Sequence, residues 1–598
     1  MFIQLYKYFK KNMYAFVLVT LLGLSSTFCY FLLPQVAQII IDRCINAALG
    51  VVPGEGSSVF LFLLADVADN DYWIILLRAL GVYGTLVLYR YIAHYVRWNA
   101  AHRNGIICEA RLRAAVFNKL LTQNTLVLSK YSSGELLTTA NADCIAVKDI
   151  FVHYFPIFFQ QFVELFMAAF FLLRISPFLA IAPFMVGIIT SLTMIAYIKK
   201  MQRIFREIRS ANVELNSCVQ ENIGGVKIVR AFAREDAEIK KFNEKNETYK
   251  KAFFRHADTW SAYSSFFLMA SYLINISSTV VGIILAVNGT ITSGEFGSFF
   301  LYVYFINNAM QTITNFGAQL QQSSVAGKRI ADFLSAPDIL SDTAGTLKAV
   351  GKPNIRLDNV SVTLDGQRKL SGVTVDIPYG KRLGLIGRTG SGKSVLMKTI
   401  ARYFEPSEGK ILLNGSETRE YELQEIRRQF GYVLQDVFLF SNTVDANIAF
   451  YNPDLPHQNV IDAGITAQAN DFIMRLPAKY ETIIGERGLG LSGGQKQRVS
   501  IARALIKDAP VIMLDDCTSA LDMETERRAF RAISDKYADR TLIIASHRAA
   551  ALAACDEILF LSDGQIIERG THGELMALSG HYAQVYTAQA AALEGVIS

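Results

Sequence analysis

The chain has 598 residues, 51% of them hydrophobic, and a formal net charge of +6. One hydrophobic core rarely serves more than about 250–300 residues, so this length predicts two or three domains. The hydrophobic content and the positive mean hydropathy predict a membrane protein. Basic loops on one side of the membrane account for the charge, so no nucleic-acid partner is expected, and the seven cysteines lack metal-binding spacing.

Residues 1–12 predict an amphipathic elbow helix on the cytoplasmic membrane surface. Lys7, Lys10 and Lys11 are interleaved with apolar residues that include Phe2 and Phe9. A helix with one basic and one apolar face lies in the membrane interface. A signal peptide is the alternative for this region, but the apolar run that follows is too long and lacks a small-residue cleavage site.

Residues 13–325 predict a transmembrane domain. A helix needs about 20 apolar residues to cross a bilayer, and six stretches of this region reach that length. A long outer loop, 46–71, separates the first two stretches. The six predicted spans are 13–41, 72–94, 151–173, 178–198, 264–287 and 296–316.

The distribution of Lys and Arg predicts the topology. The loop at 199–255 is crowded with basic residues, whereas the turn at 288–295 has none. Because basic loops stay cytoplasmic, both termini and the C-terminal region are predicted to lie in the cytoplasm.

Two long intracellular loops are predicted between spans two and three and between spans four and five. There the helical pattern continues well past membrane length, so the helices extend tens of ångströms from the membrane, at ~1.5 Å per residue. The turns are expected at 126–131 and 222–232. Gly224 and Gly225 are expected to give the second turn its tight backbone.

Residues 387–394 read GRTGSGKS, the pattern of a phosphate-binding loop. An apolar strand is predicted before this loop, at 383–386, and a helix after it, at 395–401. Glycines let backbone N–H groups curl around phosphate oxygens, while Lys393 neutralises their charge and the Ser394 hydroxyl faces Mg²⁺. The residues predicted to bind nucleotide are Gly387, Arg388, Thr389, Gly390, Ser391, Gly392, Lys393 and Ser394.

A second anion site is predicted at residues 491–495, which read LSGGQ. Ser492 is placed to cap a helix at 493–506, and the free N–H groups of a helix N-terminus attract anions. The residues predicted to contact nucleotide at this motif are Ser492, Gly493, Gly494 and Gln495.

The two motifs together resemble those of the ATP-binding cassette (ABC) proteins, and the resemblance extends over nearly the whole chain. It implies an exporter-type half-transporter, with an α-helical six-span membrane domain followed by an α/β P-loop ATPase domain. The implied boundaries are a linker at 326–353 and an ATPase domain at 354–598. In this family two cassettes dimerise head to tail. Each ATP, with Mg²⁺, then lies between the phosphate loop of one subunit and the signature motif of the other.

Further motifs follow in the order that the family uses. An apolar run ends in Asp515, which the resemblance implies holds Mg²⁺ through water. Gln435 matches the glutamine that senses the γ-phosphate, and His547 matches the switch histidine. Residues 519–522 match the loop that crosses the dimer interface, and residues 485–488 resemble a loop typical of exporters. The implied metal-site residues are Ser394, Gln435 and Asp515, and the implied catalytic residues are Asp516, His547 and Gln435.

Two positions depart from the family pattern. Asp516 replaces the glutamate that normally orients the attacking water, so its carboxylate is withdrawn by roughly 1.5 Å, one carbon–carbon bond. Such a misplacement can cost about a hundredfold in rate. Leu364 stands where an aromatic residue usually stacks on adenine, a contact of about 1–3 kcal/mol. The departures favour a site that binds ATP but hydrolyses it slowly, and sequence drift at a tolerant site is the alternative.

The substrate is the least determined part of the sequence. Glu164 is a carboxylate in the third span, and intramembrane acids face a cavity or a charged partner. A polar stripe runs along span six, which lines the central cavity in this family. Hydrogen bonding between helices is the alternative for that stripe. The candidate cavity residues are Glu164, Tyr304, Asn308, Gln311 and Asn315.

The leading functional prediction is ATP-driven export of an amphipathic small molecule, peptide or lipid across a prokaryotic cell membrane. One alternative is import of a metal chelate with the same fold, and another is a mainly regulatory ATP-binding subunit. The expected partner is a second half-transporter. Asp516 favours a heterodimer, although the intact signature and His547 leave a homodimer chemically possible.

Overall fold

The computed structural model describes residues 2–46, 58, 60, 72–336, 345–348, 351–485, 488 and 490–597. Within it the chain forms two compact units. The helical unit comprises Met1–Leu121 and Tyr131–Ala336, and the α/β unit comprises Thr122–Lys130 and Pro337–Ser598. This order of a helical and an α/β unit is the predicted one. The predicted outer loop lies almost entirely outside the described residues.

The helical unit consists of very long helices, and all six predicted spans lie inside them. Four helices of the described part of the chain are long and apolar enough to cross a membrane, namely Leu5–Ile45, Tyr72–Thr122, Ser133–Ile175 and Glu235–Val287. In detail the α-helices are Phe2–Phe9, Met13–Ile39 with its π-helical extension Ile40–Ile45, Tyr72–Thr122, Ser133–Thr138, Cys144–Asp149, Phe155–Ile175, Pro177–Ala231, Glu235–Val287 and Ser293–Ser335. The π-helical segments Thr139–Asp143 and Ile150–Tyr154 join the three helices between Ser133 and Ile175 into one continuous helix.

Aromatic packing and buried polar contacts join the first and last spans of the helical unit. The rings of Phe31 and Tyr302 stack with centroids 5.9 Å apart, and the Gln35 amide donates to the Tyr302 hydroxyl at 3.0 Å. Asp42 accepts hydrogen bonds from the Thr292 hydroxyl at 2.6 Å and the Gly294 amide at 2.7 Å. Asp42 therefore satisfies donors at the start of the helix Ser293–Ser335.

The last helix of the helical unit continues past the predicted domain boundary at 325 and ends at Ser335. Ile330 and Phe333 are buried, and Arg329 forms an ion pair with Asp143 at 2.5 Å. The predicted linker, 326–353, therefore begins inside this helix, because these contacts hold its last turns in the helical unit.

The first turn that the sequence predicts to be intracellular contains the short helix Thr125–Leu128. The Asn124 carboxamide oxygen accepts from the Leu126 amide at 2.9 Å and so begins this helix. The segment Thr122–Lys130 belongs to the α/β unit, although the helices on both sides of it belong to the helical unit.

The second predicted intracellular turn is not formed by its two glycines, contrary to the sequence prediction. Gly224 and Gly225 lie inside the helix Pro177–Ala231, and the turn follows at Ala233, whose φ is 48°. A glycine costs a helix only about 1 kcal/mol. Contacts with the following helix, Glu235–Val287, offset that cost. In one of them the Asn222 side-chain amide donates to the Glu238 carboxylate at 2.9 Å.

The α/β unit contains two sheets. The strands are β1 Ile355–Leu364, β2 Gln367–Ile377, β3 Arg382–Ile386, β4 Glu408–Leu413, β5 Ser416–Glu417, β6 Phe430–Val433, β7 Val511–Asp515, β8 Thr541–Ala545, β9 Glu557–Ser562 and β10 Gln565–Gly570. Four of them form an antiparallel sheet in the order β2-β1-β4-β5, and six form a mainly parallel sheet in the order β10-β9-β3-β8-β7-β6. The helices are Lys393–Ile400, Leu423–Arg428, Val444–Ile448, His457–Thr466, Asn470–Ile473, Gly493–Leu505, Met523–Lys536, Ala549–Leu552, His572–Ala577 and His581–Ile597.

The register of the six-stranded sheet aligns the carboxyl ends of four parallel strands. Ala545 of β8 pairs with Asp515 of β7 and with Leu385 of β3. On the other side of β7, Leu514 pairs with Val433 of β6. The segments that leave these strands therefore lie at one edge of the sheet, where ligands bind in open α/β folds.

Candidate active site

The backbone of the phosphate loop, residues 387–394, requires glycine at defined positions. Gly387, Gly390 and Gly392 have φ values of 155°, 85° and 104°. A Cβ atom on Gly387 would lie 2.2 Å from the Leu561 carbonyl oxygen, and one on Gly392 would lie 2.8 Å from a Leu370 methyl group. The loop runs from β3 into the helix Lys393–Ile400, as predicted.

Lys393 is buried, and its ammonium group is held inside the loop. The Nζ atom donates to the carbonyl oxygens of Gly387 at 2.8 Å and Arg388 at 3.2 Å. Burial lowers the pKa of Lys393, while the negative charges of Asp516 and Asp515 oppose that shift. A positive charge kept in so little water interacts strongly with an anion placed in the loop.

The Ser391 hydroxyl of the loop could bond a further acceptor. Ser391 is buried, and within the part of the chain that the structure describes its Oγ atom has no hydrogen-bond partner. A buried hydroxyl left in that state costs free energy. A phosphate oxygen in the loop would supply the missing partner, so the residues present fit a nucleotide phosphate.

Asp515, at the end of β7, is completely buried and hydrogen-bonded to two hydroxyl groups. It accepts from Ser394 at 2.8 Å and from Tyr432 at 3.1 Å. Burial raises the pKa of Asp515, opposed by these two hydrogen bonds and by the charge of Lys398. The adjoining Ser394 and Asp515 oxygens are the hard donors that Mg²⁺ prefers, so the donor set fits that ion.

Tyr432 is a site residue that the sequence analysis missed. It lies in β6 and contacts Asp515 in the neighbouring strand β7. Burial, followed by the negative charge of Asp515, raises the pKa of Tyr432 far above its ordinary value, so the hydroxyl stays protonated and donates a hydrogen bond to Asp515. The sequence signal that could have identified Tyr432 was its position three residues before Gln435.

Asp516 adopts an unusual backbone conformation next to the switch histidine. Its φ is 46°, and its amide donates to the Ala545 carbonyl oxygen at 2.9 Å. One carboxylate oxygen lies 3.5 Å from His547 Nε2. Aspartate tolerates a positive φ better than most residues because its short side chain can bond locally.

Gln435 and Leu364 both lie at or just beyond the ends of strands. Gln435 is exposed and follows β6, at the edge of the sheet where β7 ends. Leu364 ends β1, is half-buried and packs against the core of the antiparallel sheet. The side chain at 364 thus contributes to packing and offers no ring for a base to stack on.

The signature helix Gly493–Leu505 begins with a reciprocal cap. The Ser492 amide donates to Gln495 Oε1 at 2.8 Å, and the Gln495 amide donates to Ser492 Oγ at 3.3 Å. A Cβ atom on Gly494 would lie 2.8 Å from the Ala520 carbonyl oxygen. The helix N-terminus is therefore packed against the predicted interface loop at 519–522. Glu486 and Arg487, of the predicted exporter loop, lie outside the described residues.

Glu164 is buried in the helical unit and hydrogen-bonded to Gln160. Gln160 Nε2 donates to Glu164 Oε1 at 3.0 Å, and Arg97 Nη1 donates to Gln160 Oε1 at 2.5 Å. Gln160 thus connects the acid with a basic residue of the neighbouring helix.

The other predicted cavity residues lie on the helix Ser293–Ser335. Tyr304 and Asn308 are exposed within the chain. The side chains of Gln311 and Asn315 lie outside the described part of the structure.

The comparisons with known proteins establish the family. Residues 16–310 match the family profile described as ABC transporter transmembrane region, and residues 370–519 match the profile described as ABC transporter. The chain belongs to the ABC transporter family. It carries one membrane region and one ATP-binding region, so it is a half-transporter.

Similar proteins cover most of the chain. One is an uncharacterized ABC transporter ATP-binding protein, YknU of Bacillus subtilis, 33% identical over 88% of this chain and 90% of the relative. Another is an ATP-dependent lipid A-core flippase of Chromohalobacter salexigens, 31% identical over 80% of this chain and 83% of the relative. The structure of a bacterial Atm1-family ABC exporter with ATP bound superposes with a TM-score of 0.77 at 22% identity, covering 97% of this chain and 98% of that chain. The chain therefore has the exporter fold.

Proposed function

We propose that the protein is an ATP-driven exporter subunit that moves an amphipathic molecule or lipid out of the cytoplasm, with a slow ATPase site of its own. Relatives named as a lipid A-core flippase and as a putative multidrug export protein support this cargo class. The observation that carries the slow site is the short side chain of Asp516, whose carboxylate lies 3.5 Å from His547 Nε2 beside a complete phosphate loop.

The phosphate loop and Asp515 give the site its binding function. Lys393 and the loop amides would hold the β- and γ-phosphates, and Ser394 and Asp515 would hold Mg²⁺. The ion, when bound, neutralises charge that develops on the transferred phosphoryl group. Ser492 and the N-terminus of the signature helix would serve the opposite site in the dimer, since anions bind at such helix ends.

The carboxylate of Asp516 would orient the attacking water, and His547 would contact the γ-phosphate. Positioning contributes much of the rate in phosphoryl transfer, so a carboxylate shorter by one methylene group favours slow hydrolysis. We propose that the second subunit is a different half-transporter with glutamate at this position. The intact signature of this chain would then complete the faster site.

Transport direction tests the proposed function. Membranes that contain the chain, with any partner encoded beside it, are prepared as inside-out and right-side-out vesicles and supplied with ATP on the side of the ATPase domain. We expect accumulation of fluorescent amphiphiles and labelled lipids in inside-out vesicles only. We expect no accumulation when Lys393→Ala is combined with the equivalent lysine substitution in the second subunit. ATP-dependent accumulation in right-side-out vesicles would instead identify an importer.

A further inference from the structure

The C-terminal helix His581–Ile597 makes a two-point contact with the loop that carries the switch histidine. Gln589 Nε2 donates to the His547 carbonyl oxygen at 2.8 Å. The Ala549 amide donates to Gln589 Oε1 at 2.9 Å. One carboxamide therefore bonds the backbone on both sides of Arg548, and only a side chain with both a donor and an acceptor can do so.

Arg548 is held from the opposite direction. Its guanidinium group donates to Glu526 at 2.5 Å and to the Leu521 carbonyl oxygen at 3.2 Å. Glu526 is buried and also accepts from the Thr518 hydroxyl at 2.5 Å. Charge-assisted bonds of this kind are stronger and more rigid than neutral ones. The switch loop is thus fixed between the predicted interface loop and the C-terminal helix.

The position of His547 depends on that backbone. Its imidazole Nε2 lies 3.5 Å from Asp516, and within the described part of the chain the ring forms no other ion pair and no hydrogen bond that would orient it. A shift of the His547 carbonyl would therefore move the ring, and displacements of about 1 Å can cost a hundredfold in rate.

We infer that Gln589 is a positioning residue for ATP hydrolysis, acting through His547. Gln589 lies outside the nucleotide-binding motifs named above, 42 residues after His547. The inference rests on the proposed role of His547 at this site and adds the C-terminal helix to the parts that control it.

A set of variants in the full chain separates positioning from stability. Gln589→Ala and Gln589→Met remove both hydrogen bonds, whereas Gln589→Glu keeps the acceptor for Ala549 and loses the donor to His547. Gln584→Ala is the matched control, because Gln584 is exposed on the same helix. All are assayed in the wild-type and Asp516→Glu backgrounds, so that a slow site does not hide an effect.

We expect Gln589→Ala and Gln589→Met to lower kcat for ATP by on the order of tenfold to a hundredfold. KM for ATP and the thermal midpoint should stay close to those of Gln584→Ala. Gln589→Glu should show a loss at least as large, because its second carboxylate oxygen would face the His547 carbonyl oxygen, and two acceptors repel each other. In a His547→Ala background, Gln589→Ala should cause no further loss, because two residues that act through one group are not additive. Independent losses that multiply in the double variant would overturn the inference.

Hydrogen exchange gives a test that does not depend on catalysis. In Gln589→Ala the Ala549 amide should exchange at least about tenfold faster than in the wild type, and in Gln584→Ala it should be unchanged. Unchanged exchange at Ala549 would overturn the inference even if hydrolysis at this site is demonstrated. If neither background hydrolyses ATP while exchange responds as expected, the proposed slow ATPase site fails and the structural link from Gln589 to the switch loop stands.

Discussion

At the scale of single residues, Asp516 differs from the glutamate usual in this family in side-chain length and in backbone preference. The residue is one methylene group shorter than glutamate, and its backbone has a φ of 46°. Asparagine and aspartate occupy that region far more readily than glutamate does. Replacement by glutamate therefore lengthens the carboxylate at some cost in backbone free energy, whereas replacement by asparagine preserves the shape and removes the charge.

Lys393 should be indispensable for binding at this chain's own site. Lys393→Ala removes the positive charge buried inside the phosphate loop, and charge-assisted hydrogen bonds to phosphate are among the strongest. We expect photo-labelling of this subunit by an ATP analogue to be lost. Lys410→Ala, at an exposed position of β4, is the control. Labelling that survives in Lys393→Ala would show that the loop has been wrongly assigned.

Glu164 should influence cargo stimulation more than basal turnover. Glu164→Gln removes the charge but keeps a group that can bond Gln160, so the contacts between helices are largely preserved. Since buried intramembrane acids face a cavity or a base, we expect altered stimulation of the ATPase by cationic amphiphiles with nearly unchanged basal activity. Equal stimulation across cationic and neutral compounds would assign Glu164 to packing alone.

At the scale of elements, the local motifs could be predicted and the contacts between distant segments could not. The order β3, phosphate loop and helix follows from an apolar run and a glycine pattern within some twenty residues. Tyr432 and Gln589 escaped because their partners, Asp515 and His547, are brought to them by the sheet and by the C-terminal helix. The prediction of Gly224 as a turn residue was wrong, because a helix tolerates glycine where contacts with a neighbouring helix stabilise it.

The signature helix should serve the other site of the dimer. Ser492→Ala removes the cap, worth about 1 kcal/mol to the helix, and also removes a hydroxyl from an anion-binding helix end. We expect transport to stop while ATP labelling of this chain's own phosphate loop persists. Ser500→Ala, farther along the same helix, should transport normally. Normal transport in Ser492→Ala would exclude a role for this helix end in the dimer.

At the scale of the whole molecule, the phosphate loop and the signature lie in one α/β unit and are expected to serve different nucleotides. In a dimer, each motif would face the other motif on the second subunit, which is the arrangement that the family implies. The sequence could indicate that two subunits are needed, because each chain has one cassette. It could not fix whether the subunits are identical, since that depends on a second chain.

The most direct test of the slow site is single-turnover ATP hydrolysis by the purified chain alone and with a co-purified partner. We predict weak hydrolysis by the chain alone, a modest further loss in Asp516→Asn and an increase in Asp516→Glu, with fast turnover only in the presence of the partner. A dimer of the chain alone that hydrolyses ATP rapidly, and loses that activity in Asp516→Asn, would contradict the proposal of a slow site in a heterodimer.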